Sequence, residues 1–266
     1  MRIATILAAV VVLACVPVAN ATLWTLTDNN TTVNIDSASQ GGMYNFIIDG
    51  QDHLSQQWFW YRAGTTGQEF SIDNLDLTGE TLFGTNFLRL NYEDPNGAFS
   101  VDVDFVVSGG QAGSGTGDVA EIIRINNLGS SPLSFSFFEY VDFDLRGTAL
   151  DTSAWIAGGN TAFQIEGGTV LSETVVTGTP NGYAVDTFPN TRNSLNDAGI
   201  TNLGTVAGPI GPGDLTWAFQ WNRTIAAGGS FIISKDKNIV PAPGALLLGV
   251  MGLGLVGWAR RRTKNT

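Results

Sequence analysis

Cysteine is all but missing from this 266-residue chain: the single one, Cys15, sits inside an apolar N-terminal stretch. Once that stretch is removed, no disulfide, thiolate metal site or cysteine nucleophile is available. Histidine is as scarce, with His53 alone. That excludes His-rich zinc sites and any mechanism needing two imidazoles. Basic residues are few, 13 Lys and Arg against 24 Asp and Glu, for a formal charge of −11. Arg2, Arg260, Arg261, Arg262 and Lys264 lie near the termini, and every acid lies in the 218 residues from 22 to 239. That body holds 8 cations against 24 acids, a formal −16. Such a surface repels phosphate backbones and argues against nucleic acid as a partner. It suits solubility and attracts divalent cations. The body also lacks any helical stripe of about 12 residues or more.

The N-terminus has the parts of a secretory signal. Arg2 is a short basic region, residues 3–16 are apolar, Pro17 interrupts, and Ala19-Asn20-Ala21 offers small residues for cleavage. Cleavage after Ala21 is expected. A rival lipobox reading of Val12-Leu13-Ala14-Cys15 would put a lipid on Cys15, although one chain rarely needs two strong anchors.

What fills the body is strand pattern. Short alternating runs recur between Gly, Asn, Asp and Pro clusters, as in a sandwich or barrel. Residues 22–27 and 31–36 read as an opening pair, and 57–62 as a strongly aromatic strand. Residues 87–92, 99–107 and 119–126 alternate cleanly, with Val101, Val103 and Phe105 on one face and Asp102 and Asp104 on the other. Residues 133–145 are the longest strand candidate. Short turns join these runs, so residues 87–145 are expected to form an antiparallel meander. Residues 191–197 suggest one or two helical turns, and 235–240 read as a linker. The fold expected is all-β, a single antiparallel β-sandwich over residues 22–239.

The chemistry-bearing candidates are few. His53 lies in a polar turn without nucleophile-elbow glycines and reads as a surface histidine. Residues 109–117 are glycine-rich, but no Lys-Ser/Thr follows, so they lack what a phosphate loop needs. Asp102 with Asp104, and Asp142 with Asp144, each share a strand face and are expected on the solvent side. As paired carboxylates they suit a glycosidase only across a cleft. As oxygen ligands they admit calcium, the one cofactor the pattern allows, though no Asp-x-Asp-x-Asp-Gly loop is present. Trp58 with Trp60, and Trp217 with Trp221, are rows that fill a core by default. On an open face they would make a flat platform for sugar rings.

The last residues are the most specific. Pro241-Ala242-Pro243 precede 18 uncharged residues, 242–259, and Arg260-Arg261-Arg262 follow. As a helix the uncharged run spans about 27 Å, close to a hydrocarbon core of about 30 Å, and the cations stay cytoplasmic. This tail, residues 240–266, resembles the PEP-CTERM sorting domain, with Ala242 where the family name has Glu. The resemblance implies an exported bacterial protein held in the inner membrane by its C-terminal helix. It also implies processing by an exosortase-like membrane protease near Pro241, Ala242 and Pro243. The product would be released to the cell surface or an exopolysaccharide-containing matrix. The supersandwich type used by carbohydrate-active proteins falls within the fold reading, as analogy alone. The leading functional expectation is therefore a non-enzymatic surface or matrix protein. The alternatives are a carbohydrate-binding module using a tryptophan platform and a carboxylate-based glycosidase or lyase.

Overall fold

A computed structural model of the chain describes residues 23–242. Eighteen strands follow in chain order. They are β1 Leu23–Asp28, β2 Thr31–Asp36, β3 Gly42–Ile48, β4 Gln51–Asp52, β5 Gln56–Ala63 and β6 Phe70–Ser71. β7 Asp76–Phe83, β8 Phe87–Glu93, β9 Phe99–Gly109, β10 Gly117–Asn127, β11 Leu133–Asp142 and β12 Ser153–Ala157 come next. β13 Thr161–Glu166, β14 Thr169–Thr177, β15 Gly182–Thr187, β16 Thr205–Val206, β17 Leu215–Ile225 and β18 Ser230–Pro241 complete the set. One helix, α1 Asn190–Asn196, lies between β15 and β16. No helix among the described residues is long and apolar enough to cross a membrane.

The strands make two sheets. The first has the order β1-β2-β3-β5-β11-β17-β15-β16, with β4 on β3 and β6 on β5. The second runs β12-β13-β14-β18-β10-β9-β8-β7. Pairing is antiparallel except for β3 with β5 and β15 with β16. The expected all-β sandwich is what the described residues form. Alternation decides the core faces. Val101, Val103, Phe105 and Val107 of β9 turn inward beside Val119, Ile123 and Ile125 of β10. From the other sheet come Phe59 and Tyr61 of β5 and Phe135 and Phe137 of β11. Phe59 stacks on Phe137 with centroids 5.5 Å apart, and Tyr61 on Phe135 at 5.9 Å.

Two local expectations need correction. The meander runs β7-β8-β9-β10, so of residues 87–145 it takes β8, β9 and β10, and β11 crosses to the other sheet between β5 and β17. The segment after Asn127 is held by its side chain, which donates to Ser131, Ile225 and Ala226 carbonyls, and the chain leaves β10 there instead of folding back. Residues 235–240 are no linker either. They belong to β18, which sits between β14 and β10 and continues through Pro241, opposite Thr169. Pro241 stays at the strand end, where a missing N–H is tolerated.

The outer face of the first sheet is covered as well as the inner one. α1 and the segment 197–204 lie over β5, β11 and β17. Trp60 Nε1 donates to Asn196 Oδ1 at 3.1 Å. Buried Arg62 pairs with buried Glu69, which accepts the Thr201 N–H at 3.0 Å. This cover leaves β5 buried on both faces and buries Asp142, whose side chain points away from the core side of Val141.

Candidate functional site

A concave site lies where the edge strand β7 meets the β2–β3 turn. β7 pairs with β8 as Leu77 opposite Tyr92, then slips to Gly79 opposite Asn91 and Glu80 opposite Leu90. Thr78 is the extra residue of a β-bulge. Without it Glu80 would face away from Leu77; with it, Glu80 turns to the same side as Leu90 and into the gap between the sheets. There its Oε1 accepts Trp24 Nε1 at 2.8 Å and the Ser37 hydroxyl. Asp73 enters from a short 3-10 turn at Ile72–Asn74. Its Oδ1 accepts Trp58 Nε1 at 3.2 Å and the Ser71 hydroxyl. Tyr92 closes the floor, its phenol donating to the Ser37 carbonyl at 2.7 Å. Asp76 stands exposed among the lining residues. The space enclosed is about 510 Å³. Each of Asp73 and Glu80 spends one oxygen on an indole and a hydroxyl. The second oxygens, Asp73 Oδ2 and Glu80 Oε2, remain for a ligand. Polyol hydroxyls are donors of the kind such oxygens accept.

A second acidic group forms at the end of β11. Carboxylate oxygens of Asp142, Asp144 and Asp214 all lie within 4.8 Å of one another. Burial, with Asp144, Asp214 and Asp151 adding repulsion, pushes Asp142 up to about 7. Asp151 is also pushed to about 7 by burial, and Asp144 and Asp214 are raised.

Of the residues singled out in the sequence, Asp142 and Asp144 come together, with Asp214, and the others stay apart. Asp102 and Asp104 lie on the outer face of β9, away from the core. Asp104 is clasped by Arg89 at 2.7 and 2.6 Å, and Asp102 accepts from Asn91 at 2.8 Å. Asp142 ends β11 in the other sheet, and Asp144 follows just outside the strand. The solvent-side expectation fails for Asp142, which is 3% exposed beneath the cover over the first sheet. His53 is not a surface histidine: it is 6% exposed, and its Nδ1 accepts the Arg146 N–H at 3.1 Å. Burial lowers its pKa. Trp58, Trp60, Trp217 and Trp221 are all buried, at 1% exposure or less, so none offers a ring face to solvent. Their indole N–H groups are spent inward, on Asp73, Asn196, Glu173 and the Gly178 carbonyl. Of the sorting tail, Pro241 and Ala242 are described, and the Ala242 N–H donates to the Gly168 carbonyl at 2.7 Å. Pro243, Arg260, Arg261, Arg262, Ala19 and Ala21 lie outside the described residues. Asp73, Asp76 and Glu80 were not legible as a site. The available signal was Thr78-Gly79 interrupting an alternating run, since a glycine inside a strand marks a bulge.

No family model matches the chain, and no curated protein sequence matches it. Solved structures do. A bacterial glucoamylase complexed with acarbose superposes with a TM-score of 0.57 at 7% identity, over 89% of this chain and 36% of that one. A putative aldose 1-epimerase from Escherichia coli K12 gives 0.54 at 13%, over 84% of this chain and 100% of that one. A polysaccharide lyase gives 0.50 at 13%, over 82% and 34%. The chain thus spans about a third of the length of the glucoamylase and of the lyase. At these identities the likeness is one of fold. It nevertheless overturns the expectation of a non-enzymatic protein, because that expectation rested on finding no catalytic setting. The sandwich is one that proteins named as enzymes use, and the pocket holds carboxylates that no sequence motif marks.

Proposed function

We propose that the chain is a carbohydrate-active enzyme whose saccharide site is the pocket at β7, with Asp73 and Glu80 as its working carboxylates. The observation that carries this is their arrangement: two carboxylates, each fixed by an indole N–H and a hydroxyl, at a polar cavity of about 510 Å³. The fold shared with a glucoamylase, an aldose epimerase and a polysaccharide lyase supports the same class. In a glycosidase or lyase, one carboxyl group delivers a proton to the leaving oxygen. The other activates water, attacks the sugar, or removes a proton. Asp76 at the mouth is suited to a substrate hydroxyl. The tryptophans act from behind, by holding the carboxylates still.

The test is turnover of a saccharide panel, followed by hydrolysis, double-bond formation and anomeric exchange. Glu80→Gln and Asp73→Asn are each expected to lower kcat/KM by about 10²–10⁴-fold, with melting little changed. Equal activity of both variants and the parent on a turned-over sugar sinks the assignment to this pocket. So does a parent that neither binds nor converts any sugar of the panel.

Export belongs to this reading as a proposal. The signal ending at Ala21 and the tail from Pro241 to Arg262 suit an enzyme sent out to meet polysaccharide, with an exosortase-like protease as its processing partner. The intact mass from a sorting-competent host is expected to begin at Thr22 and to lack Arg260 to Arg262. A lipid on Cys15, or a chain still ending at Thr266, overturns it.

A further inference from the structure

Two separate segments bring three carboxylates to the end of β11. Asp142 closes the strand, and Asp144 follows where the chain leaves the sheet. Asp214 immediately precedes β17. Asp151 joins from a third segment, its backbone bridged to Gly213 by N–H···O bonds of 2.8 and 3.1 Å. No ion pair among the described residues involves any of these four. The nearby cation Arg192, which lowers Asp142, turns its Nη1 to Gln56 Oε1 at 3.3 Å.

Two unsatisfied oxygens add an independent observation. Asp142 is 3% exposed and its Oδ1 has no hydrogen-bond partner; Asp151 is fully buried and its Oδ1 has none either. A buried carboxylate oxygen without a donor is costly. The spacing says what would satisfy it. Oxygens bound to one calcium ion at about 2.3–2.6 Å lie at most about 5 Å from one another, and the oxygens of Asp142, Asp144 and Asp214 lie within 4.8 Å. A divalent cation would supply the missing positive charge and hold all of these groups ionised.

We propose that Asp142, Asp144 and Asp214, backed by Asp151, bind a divalent cation of the calcium class. All the ligands are oxygens, which suits calcium or magnesium and not the softer metals. Their origin in loops and a strand end gives the irregular, adjustable geometry that calcium accepts and magnesium does not. The ion ties the end of β11 to the start of β17. It is separate from the saccharide pocket and stands or falls independently of it.

Calcium chloride titrated calorimetrically into chelator-stripped full-length protein is expected to bind one ion and to raise Tm by several degrees. Terbium should report the site by emission sensitised through Trp217, which stacks on Phe143 between two of the ligands at 5.7 Å. Calcium should displace it. Asp144→Asn and Asp214→Asn are expected to weaken binding at least about tenfold, and Asp102→Asn to leave it unchanged. Where a variant fails to fold, the parent still tests the site: terbium emission must appear on the stripped protein and be lost as calcium is added. Absence of binding at millimolar calcium, binding retained in both variants, or terbium emission that calcium does not displace overturns the proposal.

Discussion

Lys237→Met is expected to destabilise the protein by about 3–5 kcal/mol, the usual cost of removing one partner from a buried ion pair. The side chain projects from the middle of β18 into the space between the sheets. Its Nζ lies 2.5 Å from Glu121, 3.0 Å from Glu139 and 3.1 Å from Glu173. Lys235, two residues earlier, bonds the same three carboxylates. All five side chains are fully buried. Register explains the assembly. Glu121 stands opposite Lys235 on β10, and Glu173 opposite Lys237 on β14, while Glu139 reaches across from β11. Without Lys237 three glutamates would share one cation in an apolar core. Against a typical total of about 5–15 kcal/mol, that loss should move the urea midpoint by roughly 1–2 M. An unchanged midpoint refutes the argument. Replacing all five residues by apolar ones of similar volume should cost far less, since it removes the desolvation along with the attraction.

This network also shows what the sequence could and could not tell. The β8-β9-β10 meander was legible because alternation and turn residues act locally, and Val101, Val103 and Phe105 fall on the core side as expected. The partner of β11 was not, because nothing in residues 133–142 encodes which of two sheets they join. Lys235-Asp236-Lys237 read as a polar linker because charge normally means solvent. Only three glutamates from distant strands reverse that meaning. Asp142 is buried for a related reason: its strand alternates as expected, but α1 lies by the face it occupies, with Arg192 bonded to Gln56 opposite Asp142. At the pocket, the bulge at Thr78 turns Glu80 inward, and a one-residue shift of this kind is hidden from any period-2 reading. The tryptophans were legible as rows, and their partners, Asp73, Asn196 and Glu173, were not.

Stability is expected to peak at mildly acid pH and to fall from about pH 5 to about pH 8. With three carboxylates to two ammonium groups, the core network carries one excess negative charge, and a proton on Glu139 cancels it. Burial first, and Glu173 beside it, raise Glu139 to about 8. A carboxyl raised on folding binds protons more tightly in the native state. Its contribution is full below the unfolded value and is lost as pH rises through the folded one. Asp142 and Asp151, raised to about 7 by burial, act in the same direction. Glu173 is the opposite case, held near 2 by Lys235 and Lys237 against the cost of burial. Its stabilisation is present above about pH 4.5 and is lost as pH falls toward 2. Lys237, raised by the three glutamates, keeps its contribution until strongly alkaline pH. The acid limb thus belongs to Glu173 and the neutral limb to Glu139 with the two aspartates. Urea midpoints measured in chelator across this range should show both limbs. Glu139→Gln should flatten much of the neutral limb, because the amide needs no proton. Calcium should flatten the part owed to Asp142 and Asp151, if the cation holds them ionised. A parent protein most stable above pH 8 would mean that the network keeps its full negative charge, and that Glu139 gives up its proton in the core as readily as in water.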